Sequence, residues 1–233
     1  MVGDADVAAA AGLIGEPARA TLLLALMEEE ALSARELANR AGIAPSTASE
    51  HLAKLLEGGL VRDHRQGRHR YFRLAEPAVA TAIEALSAIA PARPVRTLRE
   101  ASVGEAIRYA RTCYDHLAGR LGVELAAALE REKILVFRDE EYALGPAAET
   151  RLGDLGISVD ELSRRRRPLV RSCLDWSERR RHVAGALGAA LAGRLFELGW
   201  LKRRPTNRSV EVTNLGRLKL EAELGLRDIL GPT

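Results

Sequence analysis

The stretch Ser33–Leu74, SARELANRAGIAPSTASEHLAKLLEGGLVRDHRQGRHRYFRL, decides the fold of the N-terminal part of the chain. Ser33 is followed three residues later by Glu36, and this spacing is typical of a capping box at the start of a helix. Gly42 suits the left-handed position that ends a helix, and Pro45 suits the first turn of the next one. The pattern therefore predicts two helices joined by a tight turn.

The second predicted helix has one apolar face and one polar face. Its apolar residues fall at helical spacing and are expected to face the core: Ala48, Leu52, Leu55 and Leu56. The polar face carries Ser46, Thr47, Ser49, Glu50, His51 and Lys54. Because a recognition helix lays its N-terminal residues against base edges in the major groove, these polar side chains are predicted to contact DNA.

A basic hairpin is predicted directly after this helix, which ends at Gly58-Gly59. One strand starts at Leu60-Val61, the other is Tyr71–Leu74, and Gly67 can take the turn between them. The predicted DNA contacts of this wing are Arg65, Arg68, His69 and Arg70. A basic run by itself is usually a solvated surface. One that directly follows a helix-turn-helix favours contact with phosphates or the minor groove.

This region resembles the ArsR/SmtB family of bacterial repressors, in which a Ser-rich helix, a Leu pair, "GLV" and a "GR…Y…L" wing follow one another. The matching residues are Ser46, Thr47, Ser49, His51, Leu52, Leu55, Gly59, Leu60, Val61, Gly67, Arg68, Tyr71 and Leu74. The resemblance covers roughly residues 5–90, and it implies a homodimer that leaves operator DNA when an inducer binds. The usual metal-site positions of the family are not matched. Helix 33–40 has no cysteine, and helix Pro77–Ile89 offers only Glu84 as a ligand.

The composition limits the class of protein. The chain has 233 residues, enough for two small domains, and a net charge of +3. Cys113 and Cys173 are too few for a disulfide framework. The acidic N-terminus does not fit a signal peptide, and no run reaches the roughly 20 apolar residues that span a bilayer. A cytoplasmic protein without membrane contact is expected.

Two prolines predict a linker over Ala90–Pro94. It separates a winged helix-turn-helix domain over residues 1–92 from an effector or sensor domain over residues 93–233. The expected fold class is mainly α with small β-hairpins.

The second predicted domain contains an internal repeat. Identical residues recur at a constant spacing, as in His116/His182, Gly122/Gly188 and Leu129/Leu195. Each copy is predicted to be winged-helix-like, with a helix that starts at the histidine, then a hairpin and a closing helix. The two units span about residues 99–160 and 161–233. Chance identity in an Ala- and Leu-rich sequence is the alternative explanation.

Each copy is preceded by a cysteine and an aspartate, in Cys113-Tyr114-Asp115-His116 and in Cys173-Leu174-Asp175, the second followed by His182. Cys113, His116, Cys173 and His182 are four ligand types that form a Cys₂His₂ metal site where they converge. In the alternative, the histidines brace helix starts and the cysteines are small buried hydrophobes. A redox switch through the two cysteines is a further hypothesis, with nearby arginines stabilising a thiolate.

The sequence favours a small organic effector over these two hypotheses. The residues expected to line its pocket are Tyr109, Cys113, Tyr114, His116, Cys173, Trp176 and His182. The arginines of Arg164–Arg167 and Arg179–Arg181 either attract an acidic ligand or form a solvated face. The hairpin Lys202–Arg208 is an alternative phosphate contact on flanking DNA.

The function predicted from the sequence is sequence-specific regulation of transcription, as a repressor. We expect a homodimer on double-stranded operator DNA, with the helix Pro77–Ile89 at the dimer axis, and no resident cofactor. The sequence contains no nucleophile elbow, P-loop, HExxH or dinucleotide-binding motif in the required context, so we do not expect an enzyme. A Cys113–His116 nucleophile and base, or an architectural DNA-binding protein without a sensor, are the alternatives.

Overall fold

The computed structural model of the chain describes residues 4–28, 31–91, 95, 97–204 and 207–226. It divides into two compact units, Met1–Ile83 and Glu84–Thr233. This division falls within the helix Pro77–Ile89. The boundary predicted between residues 92 and 93 lies outside the described residues, together with residues 92–94 of the predicted linker.

The N-terminal unit is a set of short helices with one three-stranded antiparallel sheet. Its elements are α1 (Val7–Ile14), α2 (Pro17–Leu26), β1 (Leu32–Ser33), α3 (Ala34–Ala41), α4 (Pro45–Glu57), β2 (Val61–Gln66), β3 (His69–Leu74) and α5 (Pro77–Ile89), the last shared with the second unit. The strand order is β1-β3-β2. Among the described residues, no single helix is long and apolar enough to cross a membrane. Only α1 and α2 taken together pass such a test, and they meet at a bend of 86°.

The helix boundaries in this unit follow the local signals of the sequence. The Ser33 side chain accepts a hydrogen bond from the Glu36 backbone N–H, and the Glu36 carboxylate accepts one from the Ser33 N–H, which completes the capping box. Gly42 ends α3 in the left-handed region with φ 64°, and Pro45 is the first residue of α4. These three predictions are confirmed.

The core of the N-terminal unit is built from the faces that the sequence predicts. Ala48, Leu52 and Leu55 of α4 are buried, whereas Leu56 is only partly buried. The predicted basic hairpin is present as β2 and β3. Strand β1 was not anticipated. It pairs Leu32 with Phe72 and so holds the start of α3 against the wing.

In its described residues, the C-terminal unit contains helices and four two-stranded antiparallel hairpins. Its further elements are α6 (Leu98–Tyr109), β4 (Arg111–Cys113), β5 (His116–Ala118), α7 (Gly119–Arg131), β6 (Leu135–Arg138), β7 (Glu141–Leu144), α8 (Ala148–Asp154), α9 (Val159–Ser163), β8 (Arg171–Leu174), β9 (Arg181–Ala184), α10 (Gly185–Glu197), β10 (Leu201–Arg203), β11 (Val210–Val212) and α11 (Asn214–Leu224).

The same order of elements occurs twice, as a hairpin, a long helix, a second hairpin and a closing helix. The second hairpin of each copy was predicted, but the first was not. The prediction that helices start at His116 and His182 is wrong, because both residues lie in strands and the helices begin at Gly119 and Gly185. Strands of three or four residues show too few alternations to reveal a period of two. The description of each copy as winged-helix-like stays a prediction.

The two copies pack against each other reciprocally. Helix α7 of the first copy packs on β9 of the second, and α10 of the second packs on β5 of the first. A Cβ atom at Gly122 would lie 2.6 Å from the Leu117 carbonyl oxygen, and one at Gly188 would lie 2.5 Å from the Val183 carbonyl oxygen. The missing side chains let each helix approach the strand that precedes it. Gly188 also lies close to His116 of the other copy, since its Cβ would be 3.1 Å from that residue's Cβ.

Candidate DNA interface and a cysteine-histidine cluster

Helix α4 presents most of its predicted DNA-binding residues to solvent. Ser46, Ser49, Glu50 and Lys54 are exposed, and Thr47 is half-buried. The Ser49 hydroxyl donates to the Pro45 carbonyl oxygen at 2.9 Å, so part of its hydrogen-bonding capacity is used within the helix.

His51 differs from the other residues predicted on this helix. Its side chain is 17% exposed, and its Nδ1 lies 3.6 Å from the carboxylate of Glu16, which caps α2. The contact holds His51 toward the helix that supports α4. Ser46, Glu50 and Lys54 are the predicted residues on α4 that are exposed and for which no hydrogen bond is described.

The wing carries its basic residues on an exposed two-stranded hairpin. Arg65, Arg68, His69 and Arg70 are all exposed, and Gly67 takes the turn with φ 60°. Arg70 donates to the Asp63 carboxylate at 2.6 Å and its guanidinium lies 5.0 Å from the centre of the Phe72 ring. This hydrogen bond lowers the pKa of Asp63, so the wing keeps one carboxylate next to its arginines.

In the C-terminal unit, each copy contributes one cysteine and one histidine from its first hairpin. Cys113 of β4 lies opposite His116 of β5, and Cys173 of β8 lies opposite His182 of β9. Side chains directly opposite each other in antiparallel strands extend from the same face of the hairpin. Each hairpin therefore presents a Cys–His pair, and β5 lies beside β9, which brings the two pairs together.

The four side chains converge on one point. One potential ligand atom from each of Cys113, His116, Cys173 and His182 lies within 4.8 Å of the other three. The Nε2 atoms of the two histidines are 3.2 Å apart. His182 is fully buried, Cys113 and His116 are buried, and Cys173 is partly exposed. The sequence indicates these four residues as a possible Cys₂His₂ metal site, on the condition that they converge.

An aspartate accompanies each histidine on the side away from the cluster. Asp115 Oδ1 lies 3.2 Å from Nδ1 of His116, and Asp175 Oδ2 lies 3.4 Å from Nδ1 of His182. Each carboxylate is in turn held by an arginine, Asp115 by Arg167 and Asp175 by Arg111. The contact with Asp115 orients the His116 ring, whereas His182 Nδ1 makes no hydrogen bond to any described residue, and the Nε2 atoms of both rings face each other.

The layer around the cluster consists of Asp115, Arg167, Asp175 and Arg111, and the pair of Asp175 and Arg111 is its more deeply buried half. Asp175 and Arg111 have no exposed surface, and the guanidinium donates to the carboxylate at 2.9 Å. The same carboxylate accepts from the Gly119 N–H at 2.7 Å and from the Ser177 hydroxyl at 2.7 Å. Although burial opposes its ionised form, Arg111 and these hydrogen bonds lower the pKa of Asp175.

The thiols and imidazoles in the cluster influence one another's protonation. A hydrogen bond to Cys173, together with burial, raises the pKa of Cys113. The bond from Cys113, supported by His116 and His182, lowers the pKa of Cys173. Burial opposes a charge on His116, but Asp115 and Cys173 outweigh it and raise the pKa of His116. The cluster thus favours a thiolate at Cys173 beside a positive charge.

The aromatic residues predicted to line an effector pocket have other neighbours. The Tyr109 ring lies 5.4 Å from the Arg120 guanidinium, and the Trp176 ring lies 4.7 Å from that of Arg111. Tyr114 forms part of the turn between β4 and β5, with φ 60°. Trp176 therefore contacts the layer around the cluster through Arg111.

The sequence does not predict that two Asp–Arg ion pairs, Asp115–Arg167 and Asp175–Arg111, surround the cluster. The aspartates of Cys113-Tyr114-Asp115 and Cys173-Leu174-Asp175 were visible as a shared pattern. Their pairing with Arg167 and Arg111 had no sequence signal, because the partners lie 52 and 64 positions away.

The N-terminal unit, with its exposed recognition helix and basic wing, has the architecture of a DNA-binding regulator of transcription. The sequence profile of a helix-turn-helix domain family matches residues 14–64. The chain is 40% identical over 222 residues to the uncharacterized HTH-type transcriptional regulator YdfF of Bacillus subtilis (strain 168), over 95% of this chain and 98% of that protein. The chain therefore belongs to the family of HTH-type transcriptional regulators that includes YdfF.

Two solved structures are similar over a smaller part of the chain. The transcriptional repressor BigR from Xylella fastidiosa is 32% identical, with 38% of this chain and 89% of that chain covered and a TM-score of 0.35. The homodimeric winged helix-turn-helix DNA-binding domain of Mb0332 from Mycobacterium bovis, a possible ArsR-family regulator, is 27% identical. It covers 38% of this chain and 89% of that chain, with a TM-score of 0.34.

Proposed function

We propose that this regulator is an ArsR-type repressor that binds operator DNA as a homodimer in the cytoplasm. The observation that carries the proposal is the exposed N-terminal end of α4 directly beside an exposed basic wing. A helix of this kind reads base edges, while the arginines of a wing bind phosphates or the minor groove. Two-fold symmetric operators require two copies of such a unit, which supports the homodimer.

Selection of bound fragments from genomic DNA, followed by footprinting, tests this proposal. We expect two half-sites related by two-fold symmetry and separated by about one helical turn, roughly 34–36 Å. Binding without sequence preference would instead indicate an architectural protein. Transcription from a selected promoter should fall when the protein is added, and a rise would contradict the assignment as a repressor.

We further propose that the signal acts on the Cys–His cluster, and this replaces the small organic effector that the sequence favoured. Four side chains that meet in a largely buried place leave little room for an organic molecule between them. Their thiol and imidazole groups suit a metal ion or thiol chemistry. The short distance between Cys113 and Cys173, whose sulfur atoms lie within 4.8 Å of each other, supports a second candidate, a redox switch in which a two-electron oxidant such as a peroxide oxidises both thiols to a disulfide.

Helix α5 is the proposed route from the cluster toward the DNA-binding unit. The N–H of Thr112, next to Cys113, donates to the Arg208 carbonyl oxygen at 3.0 Å. The Arg208 guanidinium donates to the Glu84 carboxylate on α5 at 2.8 Å, with side chains only 9% and 3% exposed. Two hydrogen bonds, from Thr112 to Arg208 and from Arg208 to Glu84, thus connect the neighbour of Cys113 to a buried carboxylate on α5. Glu84 is the one residue of this helix that the sequence offers as a possible metal ligand, and in the structure it forms an ion pair with Arg208.

We propose no enzymatic activity. The Cys113–His116 pair that resembles a nucleophile and base faces a second cysteine and a second histidine. Incubation with chromogenic ester substrates tests this point, and turnover that depends on Cys113 would contradict it.

A further inference from the structure

We propose that Cys113, His116, Cys173 and His182 bind one thiophilic divalent metal ion, of which zinc is the natural example, in a closed tetrahedral site. The binding itself follows from the geometry of the cluster. Only its regulatory consequence, a change in operator affinity, rests on the proposed function. The site lies on the first hairpins of the repeat, away from the positions at which the resembled family binds metals.

The distances fit the size of a zinc ion. Zinc binds histidine nitrogen at about 2.0–2.1 Å in tetrahedral sites, which places two histidine nitrogens about 3.3–3.4 Å apart. The Nε2 atoms of His116 and His182 are 3.2 Å apart. Zinc–sulfur bonds of about 2.3 Å place two sulfurs about 3.8 Å apart, and this separation lies inside the 4.8 Å limit within which all four ligand atoms fall.

The surroundings of the two histidines are those of metal ligands. A metal-bound histidine usually donates its second ring N–H to a carboxylate, which fixes the tautomer and the ring orientation. Asp115 is within hydrogen-bond distance of Nδ1 of His116, and Asp175 lies 3.4 Å from Nδ1 of His182, which makes no hydrogen bond within the described part of the chain, so both Nε2 atoms are left for the centre. The 3.2 Å between the two Nε2 atoms also fits a hydrogen bond in which one ring donates to the other, and a metal ion would take the place of that shared proton.

The charges also balance around a divalent cation. Two cysteine thiolates neutralise the two positive charges of the ion, and both histidines bind as neutral imidazoles. The negative charges of Asp115 and Asp175 are compensated by Arg167 and Arg111. Two sulfur and two nitrogen ligands in tetrahedral geometry favour zinc over magnesium or calcium, which prefer oxygen.

Cobalt substitution of the purified full-length protein under reducing conditions tests the site directly. Co²⁺ bound by two thiolates in a tetrahedral site absorbs visible light strongly, and thiolate–metal charge transfer adds a band in the near ultraviolet. We expect both features to saturate at one Co²⁺ per chain and to disappear when Zn²⁺ is added. Absence of both in the folded wild-type protein would overturn the proposal without any variant.

Variants identify the ligands. Cys173→Ser, at the partly exposed ligand, should weaken the charge-transfer band by about half or more, because only the Cys113 thiolate remains as a sulfur ligand. Asp115→Asn should weaken metal binding by about 10- to 100-fold, as is usual for residues that orient a ligand. His64→Gln, in the exposed wing, is the matched control and should bind Co²⁺ as the wild type does. An unchanged cobalt spectrum in Cys173→Ser would place the metal elsewhere and overturn the site.

Operator binding measured on the same samples separates the two proposals. Protein that binds operator but takes up no cobalt contradicts the metal site and leaves the regulator intact. Protein that binds cobalt but no specific DNA contradicts the proposed function and leaves the site intact. Reduced protein that binds no cobalt, but that forms a Cys113–Cys173 disulfide when it is oxidised, would overturn the metal site in favour of the redox switch.

Discussion

The Nε2 atoms of His116 and His182 lie 3.2 Å apart, although the two residues are 66 positions apart in the chain. Each belongs to a hairpin in which it faces a cysteine, and each has an aspartate beside its Nδ1 atom. The two hairpins thus place two Cys–His half-sites face to face. We expect the stability of the C-terminal unit and the response of the protein to metals to depend on this contact.

Removal of the metal should lower thermal stability. A ligand present at 100 times its Kd stabilises the folded state by about 2.7 kcal/mol. For a domain of about 150–250 residues, this corresponds to a fall in Tm of roughly 5–10 °C. Calorimetry of wild-type protein with and without a strong chelator measures the effect. Cys173→Ser should show no such shift, and an unchanged Tm in the wild type would argue against a bound metal.

Alanine at Gly188 should disturb the cluster through packing alone. Its Cβ would lie 2.5 Å from the Val183 carbonyl oxygen of β9 and 3.1 Å from the Cβ of His116 in β5, so α10 has to shift relative to these strands. We expect a loss of stability of about 1–3 kcal/mol and weaker cobalt binding. Gly193 on the same helix has nothing within 4 Å of such a Cβ. Gly193→Ala should therefore be neutral or stabilise the protein by up to about 1 kcal/mol. Equal effects of the two substitutions in urea denaturation would contradict this packing.

The ion pair between Glu84 and Arg208 should couple metal binding to α5. Removal of one partner of a buried pair costs about 3–5 kcal/mol, because the other charge is left uncompensated. Glu84→Gln and Arg208→Gln should each destabilise the protein, and the double variant should lose much less than the sum. In gel shifts, the double variant should bind operator with little response to Zn²⁺. A full metal response in this variant would exclude the route through α5.

The arginines of the wing should contribute unequally to DNA binding. Arg70 is already held by Asp63, whereas no such carboxylate contact is described for Arg65 or Arg68. Loss of one phosphate contact changes the slope of log K against log salt by about 0.9. The double substitution Arg65→Ala with Arg68→Ala should change it by up to about 1.8, and Arg70→Ala by less. Arg99→Ala, an exposed position on α6, serves as the control. A slope that stays constant in the double variant would remove the wing from the interface.

Ser46 should influence sequence preference more than Ser49. Both are exposed near the start of α4, but the Ser49 hydroxyl already donates to Pro45. A hydrogen bond to a base contributes about 1 kcal/mol, or roughly fivefold at one position of the operator. Selection of random DNA by Ser46→Ala and Ser49→Ala measures the effect, with Glu57→Ala at the far end of α4 as the control. Identical preferences in all three variants would mean that α4 does not read the bases in this way.

Several features of the N-terminal unit could be predicted because their causes are local. The capping box of Ser33 and Glu36, the left-handed Gly42 and Pro45 at the first turn act within a few residues of one another. The basic hairpin could be recognised for the same reason. His51 illustrates the limit of such reasoning, because its contact with Glu16 joins two helices that are distant in sequence. Periodicity placed His51 on the polar face, but it carried no information about that partner.

In the C-terminal unit, the sequence by itself determined that two segments carry a cysteine, an aspartate and a histidine in the same order. It left open whether the copies meet. Only the tertiary structure decided this, by packing α7 on β9 and α10 on β5 so that the two Cys–His pairs face each other. The physical reason is that convergence depends on the pairing of short strands and on close helix contacts at Gly122 and Gly188. Both arise from long-range packing, which the spacing of residues along one chain does not encode.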